Sequence, residues 1–512
     1  MESLKEFSTY TKRYITKKDT YAIMANAQAL GIDNKLVAEN AGTAIADILK
    51  LRYKRSRILF ICGNGSKGAM GLAAARHCLG YLNSLNIAYM NSVAVVSNGA
   101  AELNYKLLKD IEGVEIIDST GMRKLKVLIH KSDVIVDAIL GVGMRGRLTQ
   151  EIATAIKEIN SSKKTIISID VPTGIDADTG LPNTAHIDAD TTLCVYKVKK
   201  GIQKCTAAGN IEVVGIGFPP TVELFSGPGD VILATGPRSL DANKYTHGSS
   251  LVIGAGSDFK GAPVLASFSA NSALSALRGG SGYVTILLPK ESEVLINRPD
   301  LIVKQMRHDR LSRDDLDTIK SIRHNTLIIG AGLPKDVRIY PIIAEVIKRE
   351  NQRGNTVVAD ATAVKAMNYY KGALGPRVIL TPHEGEFKDL TGVDVKKMSS
   401  RQRIYEAIDF ARNHHCTLVL KGHDTIITNG ELLKINRSET AELATMGTGD
   451  VLCGLIASYA GIHDNPFESA VAAVYVHSMI GDALYREKGL HATASDVIEK
   501  IPEVVKKYDM LI

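Results

Sequence analysis

The chain has 512 residues, of which 45% are hydrophobic and 23% charged, with a formal net charge of +7, no Trp and 44 Gly. That length is too great for one ordinary core and predicts two large α/β domains. The charge is mild, the one basic run (residues 50–57, KLRYKRSR) reads as a helix end and connector, and no apolar run is long enough to span a bilayer, so nucleic-acid and membrane partners are not expected.

The first residues, MESLKEFSTYTKRYITKK, contain no apolar stretch of the secretory type. The six cysteines, Cys62, Cys78, Cys194, Cys205, Cys416 and Cys453, form no C-x-x-C pair. Their spacing fits neither a zinc ribbon nor a disulfide framework, so they are expected to pack as small hydrophobes in a cytoplasmic protein.

Helical spacing of Leu36, Val37, Ile45, Ile48 and Leu49 predicts a helix over 35–50. Short β-branched runs predict strands at 57–62, 91–96, 134–139, 165–170, 191–195 and 211–216, with helices between most of them. That alternation is the pattern of a doubly wound, mainly parallel sheet. After the first strand, Gly63, Gly65 and Gly68 spell G-x-G-x-x-G at the entry to a helix. This is the setting of a dinucleotide-binding turn, but the full fingerprint also needs an acidic residue about 20 positions on. The expected second strand ends in Val96, Ser97 and Asn98. A conventional nicotinamide-dinucleotide dehydrogenase is therefore disfavoured. Asp137 and Asp170 follow the strands at 134 and 165, where ligands bind in parallel sheets. Each reads as a proton-transfer or ribose group, or as a loop anchor.

The Gly- and Pro-rich stretch 217–248 marks a boundary, with a linker expected over 221–240 between domains at 1–220 and 241–512. A second series of strands is predicted at 250–256, 283–289, 326–332, 356–361, 378–387 and 417–422. The most specific stretch follows: 443-LATMGTGDVLCGLIASYAG-461. Gly447 and Gly449 let backbone N–H groups converge at a helix N-terminus, making an anion hole for a phosphoryl group. Asp450 is placed there to take a proton from an attacking hydroxyl, or to act as a plain helix cap. Lys421, ending a strand in LKGHDT, reads as a phosphate contact or a turn lysine. His383 and Glu386, in TPHEGEF, read as a substrate contact and a residue reaching a metal-bound water, or as ordinary loop residues.

Taken together, 259-FKGAP-263, 330-GAGL-333, 360-DATA-363, 381-TPHEGEF-387, 420-LKGHDT-425, 444-ATMGTGDVL-452 and 493-TASDVIEKIPEVV-505 resemble the ADP- or ATP-dependent NAD(P)H-hydrate dehydratases, a ribokinase-like family. One departure is Thr362, where that family's D-A-D-A has its second acid. In the first half, 36-LVAENAG-42, 62-CGNGSKGAMGLAAARHCL-79, 136-VDAILGVG-143 and 170-DVPTGIDADTG-180 resemble the Rossmann-like NAD(P)H-hydrate epimerases. The fusion is similar to the bifunctional NAD(P)H-hydrate repair enzymes.

For the C-terminal half the resemblance implies a dehydratase acting on hydrated NADH or NADPH, with ADP or ATP as phosphoryl donor and Mg2+. It implies hydrate contacts at Ala262, Gly332, His383 and the catalytic Asp450. Nucleotide contacts are implied at Lys421, Gly422, His423, Asp424, Thr425, Gly447, Thr448 and Gly449. For the N-terminal half it implies an epimerase with Asp137 catalytic and the hydrate held by Ser66, Lys67, Gly68, Ala69, Met70, Gly141, Val142, Gly143, Met144, Arg145, Gly146, Arg147 and Asp170. It also implies potassium at Asp137 and Thr173, yet Lys67 stands where the family has a potassium-binding Asn. An ammonium cannot ligate a cation. Lys67 therefore either supplies its own charge beside Asp137 or points to solvent. A homo-oligomer is implied as well. The alternative is a small-molecule or vitamin kinase with a non-catalytic N-terminal binding module.

Overall fold

The computed structural model describes residues 4–82, 84–90, 99–111, 115–118, 122–144, 146–236, 238–255, 262–289, 299–438 and 441–509. They divide into two compact units, Lys12–Val222 and a second made of Met1–Thr11 with Glu223–Ile512.

The Lys12–Val222 unit is built on a sheet of β1 (Arg57–Gly63), β2 (Ser84–Met90), β3 (Glu115–Asp118), β4 (Val134–Ala138), β5 (Thr165–Ile169), β6 (Thr191–Val195) and β7 (Asn210–Val214). Among the described residues its order is β3-β2-β1-β4-β5-β6-β7, parallel throughout. Helices Asn34–Arg52 and Ser66–Cys78 cover one face, and Met122–Lys131 with Gln150–Ser161 the other. β4 is buried along its whole length, which is why it reads as a continuous apolar run. The strand order reverses between β1 and β4. Their carboxyl ends open the crevice in which such sheets bind ligands.

The strand expected at 91–96 lies outside the described residues; the second strand among them is Ser84–Met90. Its first three positions are only half-buried and include Ser84 and Asn86, so its apolar signal is weaker than that of the run after it.

The second unit carries β8 (Ser249–Ile253), β9 (Tyr283–Leu288), β10 (Ile302–Gln305), β11 (Thr326–Ile329), β12 (Thr356–Ala359), β13 (Val378–Leu380), β14 (Thr417–Leu420), β15 (Asp424–Thr428) and β16 (Leu433–Arg437). The order is β10-β9-β8-β11-β12-β13-β14-β15-β16, parallel up to β14 and antiparallel in the last three strands. Alternate residues feed opposite faces. Leu251, Leu327, Ile329 and Val357 enter one core, while Val252, Ile328, Val358 and Ile379 enter the other.

Two features differ from the expected division. Residues 221–240 are not an open connector: helix Pro228–Ala234 buries Val231 and Ala234 in the second unit, and Asp230 pairs with Lys434 at 2.7 Å. The N-terminal residues also belong to this unit. The 3-10 helix Leu4–Tyr10 buries Phe7 against Tyr405, with ring centroids 5.2 Å apart, and Glu6 pairs with Arg401 at 2.7 Å.

Candidate functional site

Each unit places a charged cluster beyond the carboxyl ends of its central strands. In the Lys12–Val222 unit, Gly63 and Gly68 allow the tight turn from β1 into helix Ser66–Cys78. A Cβ on Gly68 would lie 1.7 Å from the Gly63 carbonyl oxygen, and one on Gly63 would lie 2.2 Å from that of Ile139. That turn aims Lys67 inward. Its Nζ donates to Asp137 Oδ2 and the Val171 carbonyl at 2.8 Å, Thr173 Oγ1 at 3.2 Å and the Leu140 carbonyl at 3.3 Å. The side chains of Lys67 and Asp137 are 3% and 0% exposed.

Asp137 receives further donors from Ser168 Oγ (2.7 Å), the Thr173 N–H (2.9 Å), Thr173 Oγ1 (2.5 Å) and the Ile139 N–H (3.2 Å). Burial by itself would raise its carboxyl, but the Lys67 ammonium and the Thr173 donors hold it below the usual carboxylate range. Both Asp137 oxygens thus accept from neighbouring donors. The Lys67 ammonium lies between Asp137 and Thr173, the place expected for potassium, and an ammonium cannot ligate a cation.

Asp170, 5% exposed, is the carboxylate directly after the neighbouring strand. It follows β5 with a left-handed φ of +67°, a conformation that costs energy for a non-glycine residue and clusters at functional sites. Its Oδ1 accepts from the buried Lys199 ammonium and from the Val195 N–H at 3.2 Å. Both of those donors meet one oxygen of the pair.

The remaining expected residues divide. Ser66 is exposed in the first turn, whereas Ala69 and Met70 are buried in the core against helix Asn34–Arg52 and line no crevice. Gly68 serves the turn. Gly141, Val142, Gly143 and Met144 form a half-buried loop after β4, followed by exposed Gly146 and Arg147. Arg145 lies outside the described residues.

In the second unit, Asp360 follows β12, Thr381 follows β13 and Lys421 follows β14. Lys421 Nζ meets Asp360 Oδ1 at 2.8 Å, and Thr381 Oγ1 donates to the same oxygen at 2.7 Å. Helix Thr448–Ile462 enters beside them: a Cβ on Gly449 would lie 3.5 Å from Lys421 Nζ. Gly447, at φ +90°, faces the Asn271 side-chain amide. The Asp450 carboxyl accepts from its own backbone N–H. Burial and the nearby Asp360 charge push its carboxyl up to about 7, against the opposing pull of Lys421. A carboxyl near neutrality at a helix N-terminus, beside a cation, is suited to take a proton while a phosphoryl group is held.

Thr448 Oγ1 donates to the Leu443 and Thr445 carbonyls at 2.7 and 2.8 Å, fixing the loop rather than a ligand. His383 caps helix Glu384–Thr391: its Nδ1 accepts from the N–H groups of Gly385 (3.0 Å) and Glu386 (3.2 Å). Its side chain is 60% exposed, with Nε2 3.6 Å from Glu386 Oε1. In the β14–β15 turn, Gly422 and His423 are exposed, Thr425 Oγ1 donates to the Gly422 carbonyl at 3.2 Å, and Asp424 pairs with Arg437. Gly332 is buried at φ +73°. Ala262 opens helix Ala262–Arg278, and residues 256–261 before it lie outside the described residues. Thr362 donates to the Leu333 carbonyl at 2.9 Å, so it ties two loops where the related sequences have an acid.

Three residues that sequence reasoning did not assign belong to these clusters. Asp360 carried a visible signal, an acid directly after a buried strand. Lys199 and Asn271 had none, since only the tertiary fold brings them to Asp170 and Gly447.

A family profile described as NAD(P)H-hydrate dehydratase matches residues 250–503, and one described as YjeF-related protein N-terminus matches residues 34–201. A bifunctional NAD(P)H-hydrate repair enzyme of Pyrobaculum aerophilum is 34% identical over 96% of this chain and 98% of its own. That of Archaeoglobus fulgidus is 31% identical over 96% and 98%. A solved structure described as the ADP/ATP-dependent NAD(P)H-hydrate dehydratase of Bacillus subtilis, co-crystallised with ATP/Mg2+, is 27% identical over 54% of this chain and 96% of that one, with a TM-score of 0.45. With relatives of this identity matched along nearly its whole length, the chain belongs to the family of bifunctional NAD(P)H-hydrate repair enzymes.

Proposed function

We propose that this chain repairs hydrated NADH and NADPH, its second unit dehydrating the S form at the expense of ADP and its Lys12–Val222 unit interconverting the R and S forms. The observation that carries the dehydratase reading is Asp450, half-buried at the entry to helix Thr448–Ile462 and raised to about 7 beside the Lys421–Asp360 pair. Asp450 takes the proton of the C6 hydroxyl. That oxygen attacks the terminal phosphorus of ADP, and the bond from that phosphorus to the bridging oxygen breaks to release AMP. The ring nitrogen lone pair then expels phosphate from C6, and loss of a C5 proton restores the dihydronicotinamide. Backbone N–H groups at Gly447–Gly449 and the Lys421 ammonium face the transferred charge. Such transfers depend on positioning and electrostatic stabilisation.

Lys421 and the β14–β15 turn would hold the nucleotide, and Glu386, 13% exposed beside His383, would reach a water on a phosphate-bound Mg2+. When bound, Mg2+ supplies charge neutralisation at the phosphates. In the other unit, Asp170 is the group that exchanges a proton with the C6 hydroxyl, because Lys199 and Val195 occupy one of its oxygens, whereas both oxygens of Asp137 accept from neighbouring donors. Free thiols at all six cysteines accord with a cytoplasmic setting. Among the described residues no helix is long and apolar enough to cross a membrane. A homo-oligomer remains part of this reading, to be checked by light scattering.

The test follows R- and S-hydrate by chromatography with the purified full chain, with and without ADP and Mg2+, against a blank timing spontaneous epimerisation. Loss of both forms faster than the blank supports both activities. Loss of S with R lagging at the blank rate limits the chain to dehydration. No change in either form, or a stable phosphorylated product, overturns the reading in favour of a small-molecule kinase.

A further inference from the structure

The Lys67 ammonium is surrounded as a bound cation would be. Four oxygens lie 2.8–3.3 Å from Nζ, one from a carboxylate, one from a hydroxyl and two from backbone carbonyls. They come from the end of β4 and from the loops after β4 and β5, while the lysine comes from the helix after β1. The contact therefore joins all three loops that open the crevice. The stem is accommodated by Gly141, where a Cβ would lie 3.3 Å from Lys67 Cβ and 3.5 Å from its Cδ. Burial is nearly complete, so the charge is compensated by these groups and not by water.

We infer that Lys67 is a tethered cation that replaces a bound monovalent ion in this unit, so that the crevice is assembled without potassium. Ammonium and potassium are close in ionic radius and both are satisfied by carbonyl and carboxylate oxygens. The covalent tether removes the entropy cost of capturing a free ion. Lys67 is a positioning residue: it orders Asp137, Leu140, Val171 and Thr173 at the carboxyl ends of β4 and β5. The inference rests on the epimerase reading only for its rate measurement.

The full chain is compared with Lys67→Asn in buffers where potassium, ammonium or tetramethylammonium is the sole added cation. Thermal unfolding and R/S-hydrate interconversion are both followed. For the wild type, interconversion changes less than twofold and the melting temperature does not shift between potassium and tetramethylammonium. For Lys67→Asn, the melting temperature rises saturably with potassium or ammonium but not with tetramethylammonium, and interconversion, tenfold or more below wild type, recovers in parallel. A wild type that needs potassium for either readout overturns the inference, whether or not the variant folds. So does a folded Lys67→Asn that ignores potassium in its melting temperature. If neither protein interconverts the hydrates in any salt, the epimerase reading fails while the melting temperatures still decide the role of Lys67.

Discussion

Asp450 shows how one side chain connects electrostatics to both activity and stability. Its ordinary carboxyl value is 3.8, and burial beside Asp360 raises it to about 7 in the folded chain. As a base it must be ionised, so kcat/KM for dehydration is expected to rise with pH and level off above about 7. The folded state binds this proton more tightly than the unfolded chain does. The stabilisation is complete below the unfolded value and is lost as pH rises through the folded one. Asp450→Asn removes the buried charge. It should lower kcat by about 10²–10⁴-fold, while melting a few degrees above the wild type at pH 8. That gap should shrink toward pH 5, and calorimetry at the two pH values together with the rate profile checks both. A melting temperature lower than wild type at pH 8 would show instead that the carboxylate is structurally required.

At the scale of elements, the catalytic helix is placed by its crossing with helix Ala262–Arg278. Ser272 Oγ donates to the Asp450 carbonyl at 3.0 Å and Ser275 Oγ to that of Val451 at 2.6 Å. Gly454 permits this approach: a Cβ there would lie 2.2 Å from the Ser272 carbonyl oxygen and 2.7 Å from Ser275 Cβ. Gly454→Ala is expected to push the helices apart and cost about 1–3 kcal/mol of stability. It should also reduce dehydration several-fold by moving Asp450 away from Lys421, without changing R/S interconversion. Denaturant unfolding and the two assays on the same preparation test this. The G-T-G-D motif was legible at this scale because it is contiguous and precedes an apolar run. The partner helix was not, since nothing local in Ser272 or Ser275 marks them as donors to a helix nearly 180 residues away.

At the scale of the molecule, the chain begins in one unit, builds the other and then returns. Phe7 is 3% exposed in the core of the second unit, packed on Tyr405. Phe7→Ala should therefore destabilise the dehydratase unit by about 3 kcal/mol and leave the melting of the Lys12–Val222 unit in place. Limited proteolysis of the two units, read by mass spectrometry, separates these effects. Enhanced cleavage confined to Lys12–Val222 would contradict the assignment of residues 4–10.

The sequence by itself determined the two α/β series, the glycine turn after β1 and the G-T-G-D entry to an apolar helix. All of these are written in local periodicity or in residues adjacent along the chain. Only the tertiary structure decided what the charged groups do. Lys67 and Asp137 are 70 residues apart and Asp360 and Lys421 are 61 apart, so neither ion pair can be read from spacing. The tertiary fold also brought donors to both oxygens of Asp137 and brought the Lys199 and Val195 donors to one oxygen of Asp170. Sequence presents the two alike, as an acid after a buried strand. The difference lies in how many donors the neighbouring loops bring to each oxygen, and that is settled only when distant segments pack.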